Sequence, residues 1–95
     1  LDSYLIRFKV LPTGPEVPPQ TLLESIKGNL EKEMTVKSSK EDPIAFGLYA
    51  LIVDIVAPGV EGMVDKVESV VSSAPNVAQF EVLGTSRMSS TLKNV

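Results

Sequence analysis

Apolar and polar positions alternate over residues 4–11, with Tyr4, Ile6, Phe8 and Val10 on one face and Leu5, Arg7, Lys9 and Leu11 on the other. A period of two predicts a half-buried strand. Residues 11–19 then hold four prolines, which restrict the backbone, withhold amide donors and end the strand. Pro19 suits the first turn of a helix. Leu22, Leu23, Ile26 and Leu30 follow at helical spacing and carry that helix to Glu33, with Thr21 and Glu24 as a capping box if it starts later. Gly28 weakens it.

Residues 34–42 are mostly polar, Val36 being the best core candidate, and predict a short edge strand. Over residues 48–57, Tyr49, Leu51, Val53 and Ile55 share one face while Leu48, Ala50, Ile52 and Asp54 share the other. Apolar residues on both faces predict a central strand. Pro58 and Gly59 mark a turn, and Met63, Val64, Val67, Val70, Val71 and Ala74 form a second helical stripe closed by Pro75 and Asn76. Residues 77–87 predict the last strand, with Ala78, Phe80 and Val82 opposed to Gln79, Glu81 and Leu83.

The resulting order, βαββαβ, predicts an α+β ferredoxin-like two-layer sandwich: a four-stranded antiparallel sheet with two helices on one face. The first and third strands, which are the most apolar, belong at the centre, and the polar second strand at an edge. Residues 1–88 are expected to form one domain and 89–95 a polar C-terminal tail.

Composition narrows the chemistry. The 95 residues include no Cys, His or Trp, which excludes thiolate nucleophiles, His-based catalytic constellations and zinc sites of nitrogen or sulfur ligands. A formal charge of −3 argues against a broad nucleic-acid surface and favours a basic protein surface as partner. The longest apolar run, residues 48–57, is interrupted by Asp54 and has about half the length of a membrane-spanning helix. The opening residues lack the basic start and apolar run of a secretory signal, so a cytoplasmic protein without membrane attachment is expected.

This fold hosts several functions, so particular residues must decide. A metal-chaperone version lacks its thiolates. An RNA-binding version needs stacking aromatics where the first strand offers Leu5, Arg7, Lys9 and Leu11. An acylphosphatase-like anion cradle is opposed by Pro12 and Pro15, which donate no backbone hydrogen bond. The acid pairs Glu31 with Glu33 and Glu41 with Asp42 have no recognisable partner set and read as solvated surface. Asp54 is expected to face solvent or to pair with Arg7 or Lys9 on the adjacent strand. The most distinctive segment is residues 42–51, where Pro43 stiffens the chain, Ile44 and Phe46 alternate around a small residue, and Gly47 permits a bulge or close approach. Phe46 there is either a plug at one end of the core or an exposed anchor. Arg87 is either a solvated terminal charge or a mobile cation for an anionic or metal-bearing site on a partner.

Residues 43–48 (Pro-Ile-Ala-Phe-Gly-Leu), followed by Ala50 and Leu51, the βαββαβ order and a basic residue at the end of the last strand resemble archaeal elongation factor 1-beta and the C-terminal exchange domain of its eukaryotic counterpart. The resemblance runs from about Tyr4 to Met88. It implies a guanine nucleotide exchange factor that binds GDP-bound or nucleotide-free elongation factor 1-alpha and lets GTP enter, with no catalytic residue, cofactor or metal of its own. It implies partner contacts at Pro43, Ile44, Phe46 and Gly47, which favours the anchor role for Phe46. Arg87 falls where the eukaryotic family places a lysine at the partner's magnesium and phosphate region. This chain differs by having arginine there and by continuing to Val95. A monomer is expected. The rival reading is a small-ligand regulatory domain of the ACT-like type, which shares the topology.

Overall fold

The computed structural model describes residues 2–89, the side chain of Ser89 excepted. Strand β1 (Asp2–Pro12) leads to helix α1 (Pro19–Asn29), strand β2 (Thr35–Pro43), a 3-10 turn (Ala45–Gly47), strand β3 (Tyr49–Pro58), helix α2 (Met63–Ser72) and strand β4 (Val77–Ser89). The strands form one antiparallel sheet in the order β2-β3-β1-β4. This is the expected ferredoxin-like α+β sandwich. The two apolar strands are central and the polar β2 is an edge.

Alternation explains which face is buried. Ile6, Phe8 and Val10 of β1 and Leu51, Val53 and Ile55 of β3 meet Leu22 and Ile26 of α1 and Val67 and Val71 of α2 in a single core. The Phe8 and Phe80 rings lie 5.9 Å apart in a tilted arrangement, a favoured aromatic geometry. The proline-rich connection is tied down by Tyr49, whose hydroxyl donates to the Val17 carbonyl at 2.8 Å. Burial pushes the Tyr49 pKa up, with Glu41 adding to the effect, and this keeps the hydroxyl a neutral donor.

Helix α1 departs from its expected length. It ends at Asn29, because Leu30 turns extended (φ −69°, ψ 146°) and its amide closes the last turn onto the Ile26 and Lys27 carbonyls. Asn29 Nδ2 donates to the Val70 carbonyl at 2.7 Å and to Ser73 Oγ at 3.1 Å, bonding to the other helix instead of continuing its own. The capping box is also unused. The helix begins at Pro19, with Pro18 as N-cap and no side-chain cap.

Strand β2 carries one register irregularity and β4 carries two. In β2 the register shifts between Val36 and Ser38, and in β4 it shifts opposite Arg7 and Phe8 and again opposite Leu11 and Pro12, so that Lys37, Leu83 and Ala78 are extra residues. Ala78 is exposed instead of sharing the core face of Phe80 and Val82, and Val77 packs there in its place. A bulge reverses which face the later residues take. Ser38 therefore lies opposite Asp54 on the open face, and Arg87 lies opposite Tyr4 on the helix-side face. Strand β4 runs past Arg87 to Ser89; the expected tail from residue 90 onward lies outside the described residues. No described helix is long and apolar enough to cross a membrane.

Candidate functional site

Three groups of side chains named above can be placed. The Arg7 and Asp54 pair forms on the open face, with Arg7 Nε donating to Asp54 Oδ1 at 2.8 Å and Nη2 donating to Oδ2 at 3.0 Å. Ser38 Oγ donates to Oδ2 at 3.1 Å. Asp54 is only 7% exposed, and the Arg7 hydrogen bond, opposed by burial and helped by Ser38 and the positive charges of Arg7 and Lys37, holds its carboxyl below the usual range. A buried carboxylate that accepts two hydrogen bonds from one guanidinium and a third from a serine hydroxyl ties neighbouring strands together rather than offering a free ligand. Glu31 and Glu33 both approach Lys66, at 2.9 Å and 3.4 Å. Among the described residues no group of three or more acidic, His or Cys side chains comes together to hold a metal ion.

The segment from Pro43 to Gly47 forms one structure at an end of the sheet. Pro43 and Tyr49 are cross-strand partners of β2 and β3, and the residues between them close a turn. The Ile44 amide donates to the Leu48 carbonyl at 2.8 Å and the Leu48 amide to the Ala45 carbonyl at 3.3 Å. Two successive residues inside it are left-handed, Phe46 at φ 65° and Gly47 at φ 74°. Glycine takes that conformation freely, whereas a bulky L-residue does so at a cost of about 1–2 kcal/mol. Phe46 is consequently turned out of the sheet and is 96% exposed, which removes the core-plug role. Ile44 and Leu48 flank it at 41% and 40% exposure. An apolar cleft of about 420 Å³ adjoins them, closed on its other side by residues 11–15.

Arg87 stands at the opposite end. Its partner on β1 is Tyr4, whereas the Phe46 turn leads into the part of β3 that pairs with Val10. Tyr4 to Val10 spans about 20 Å of strand at ~3.3 Å per residue. The structure therefore joins Pro43, Ile44, Phe46 and Gly47 in one turn and keeps Arg87 apart from them. Arg87 Nε lies 3.2 Å from Asp2 Oδ2, and the guanidinium sits over the Tyr4 ring, 5.8 Å from its centroid. The sequence places Tyr4 on a strand face but marks neither Asp2 nor Tyr4 as a neighbour of Arg87. Their proximity depends on the Leu83 bulge, and no local pattern reports it.

Residues 5–88 match the family described as the EF-1 guanine nucleotide exchange domain. The chain is 38% identical over 89 residues to elongation factor 1-beta of Saccharolobus islandicus, covering 93% of this chain and 98% of that one. It is 34% identical over 84 residues to elongation factor 1-beta of Methanococcus maripaludis, covering 87% and 94% respectively. Among solved structures, the C-terminal domain of the MgtC protein from Mycobacterium tuberculosis is similar, with a TM-score of 0.50 at 13% identity over 86% of this chain and 85% of that one. That likeness concerns the fold alone.

Proposed function

The chain belongs to the EF-1 guanine nucleotide exchange family and is a guanine nucleotide exchange factor, and from that premise we propose that it acts on elongation factor 1-alpha through both ends of its sheet. Phe46, set by Pro43, Ile44 and Gly47, is the docking anchor. Arg87 is the cation presented to the partner's nucleotide site. The rival small-ligand regulatory reading is not favoured by these relationships.

The observation that carries the proposal is the phenyl ring of Phe46, 96% exposed between two partly exposed aliphatic side chains. An apolar surface held outward by a hydrogen-bonded turn has no role in the core and gains free energy only when a partner covers it. The strain of a left-handed phenylalanine belongs to that presentation.

Exchange itself is differential binding. The factor must bind the nucleotide-free or magnesium-free state of its partner more tightly than the closed GDP state, because equal affinity for both shifts nothing. A guanidinium brought to the partner's magnesium and phosphate region competes electrostatically with the ion. Without that ion the phosphates and the loops they order are held less firmly. No covalent bond is made or broken, so the chain needs no nucleophile, cofactor or resident metal. It works as a cytoplasmic monomer, with the exchange unit running through the end of β4 at Ser89, one residue beyond the expected boundary, and the residues after it as an appended tail. Its charge of −3 suits a basic protein surface rather than nucleic acid or membrane.

Release of fluorescent GDP from elongation factor 1-alpha tests the proposal. Wild type is expected to accelerate release, and Arg87→Ala to accelerate it less at saturation. No acceleration by wild type overturns the partner. Full acceleration by Arg87→Ala retains the partner and overturns the role of the cation.

A further inference from the structure

Two side chains at the Arg87 end have no part in the function proposed above. Tyr4 and Arg87 are direct cross-strand partners, so their side chains share a face, and the ring lies beneath the guanidinium at 5.8 Å. Asp2 Oδ2 approaches the guanidinium edge, 3.2 Å from Nε. The backbone that carries Asp2 is itself pinned. Its carbonyl accepts from the Gly59 amide at 3.0 Å, and a Cβ on Gly59 would come within 3.1 Å of the Asp2 Cβ. Glycine at 59 permits this close approach of the turn after β3 to the start of β1.

Ring and carboxylate act on different parts of the guanidinium. The Tyr4 ring takes its face and leaves the edges free. The Asp2 carboxylate takes an edge, the same part that would bind a phosphate oxygen. A carboxylate already at that edge is a competitor. Resting on the assignment of Arg87 made above, we propose that Asp2 is a positioning residue that restrains Arg87 in the free protein, a counter-charge that the partner's anionic nucleotide site must displace. Both side chains are partly open to water, at 62% exposure for Arg87 and 42% for Asp2. The restraint is therefore weak enough to be broken on docking.

The test is GDP release from elongation factor 1-alpha at subsaturating full-length factor, comparing wild type, Asp2→Asn, Asp2→Glu, Arg87→Ala and the Asp2→Asn/Arg87→Ala double variant at low and high salt. Asp2→Asn is expected to speed release about two- to fivefold at low salt, the range over which an exposed ion pair biases its partners. The gain fades near 1 M salt, where the screening length falls to about 3 Å. Asp2→Glu, which retains the charge, stays at the wild-type rate, and Asp2→Asn adds nothing in the Arg87→Ala background. An unchanged or slower Asp2→Asn overturns the inference, as does an equal gain without Arg87, which would reflect net charge alone. If Arg87→Ala matches wild type, the assignment of Arg87 fails and the inference falls with it. A slow Arg87→Ala beside an unmoved Asp2→Asn overturns the inference alone.

Discussion

Phe46 and Arg87 sit at opposite ends of the same four strands and are held there by different means. At Phe46 it is the backbone that is fixed, in a turn with two cross-linking hydrogen bonds and two successive left-handed residues, and this sets the direction in which the ring leaves the sheet. The guanidinium is fixed by side chains, a carboxylate at its edge and a ring beneath it, at the end of a long stem. A backbone-fixed aromatic loses little freedom on binding and its contribution is insensitive to salt. A flexible cation has rotamers to lose, and its interactions weaken with ionic strength. In the proposed division of roles one end supplies affinity and the other a charge that moves on docking, and this division can be broken experimentally.

The largest expected effect is on affinity at the apolar end. Phe46→Ala should weaken binding to elongation factor 1-alpha by at least about 30-fold, the scale of an interface hot spot. Its thermal midpoint should stay at the wild-type value because the ring touches no core. Titration calorimetry and thermal unfolding together check this, and a fall in the midpoint with affinity intact would reverse the roles given to the two ends. Next in size, Arg87→Ala should lower the saturated rate of GDP release about tenfold, the scale of one charge-assisted contact, while changing affinity less. Single-turnover release over a range of factor concentrations separates the two quantities. Equal losses in rate and affinity for both variants would erase the distinction.

The two ends also differ in how far the sequence foretells them. Alternation in β1 and β3 identifies the core face, the central strands and Arg7 and Lys9 as the possible partners of Asp54, since each depends only on residue type and a period of two. The register that selects Arg7 is set by the strand pairing. Alternation cannot foresee an extra residue. Leu83 is apolar and continues a plausible pattern, yet its insertion moves Arg87 to the face occupied by Tyr4 and within reach of Asp2. At the other end the residues of the turn are legible in order, but Ile44 and Phe46 share a phase and would share an environment if the chain stayed extended. Positive φ at Phe46, which residue type disfavours, sends the ring outward. Helix α1 stops early for a similar reason, since Asn29 bonds to α2, a partner distant in sequence.

Gly47 offers a subtler probe of the backbone-fixed end. A Cβ at this position meets nothing within 4 Å, so Gly47→Ala adds no clash and isolates the cost of φ 74°. That cost is about 1 kcal/mol, paid by a residue whose side chain is not the anchor. The turn should loosen, with affinity falling about fivefold, less than for Phe46→Ala, and with the salt dependence of exchange unchanged because the Arg87 end is untouched. A changed salt dependence would mean that the ends communicate through the sheet.

The smallest effect concerns the pair that lies between the ends. Asp54 is held below the ordinary carboxylate range chiefly by its hydrogen bond from Arg7. Unfolded, its pKa is about 3.9. Above that value both states are ionised and the pair stabilises the fold in full. As pH falls below it the unfolded chain takes up the proton first, and the contribution declines until it is gone below the lowered folded value. The urea midpoint should therefore drop as pH falls from about 5 through that window, and Asp54→Asn should flatten the drop. Glu33, lowered mainly by a backbone hydrogen bond and also by Lys66, titrates in the same sense and should leave a residual slope in Asp54→Asn. Arg7 and Asp54 join the two central strands between the ends, so acid should loosen the sheet beneath both. The amide chemical shifts of Ile44 and Leu48, whose N–H groups close the turn, should remain unchanged until the sheet unfolds. An earlier change at these amides would show that the turn is held by the sheet rather than by itself.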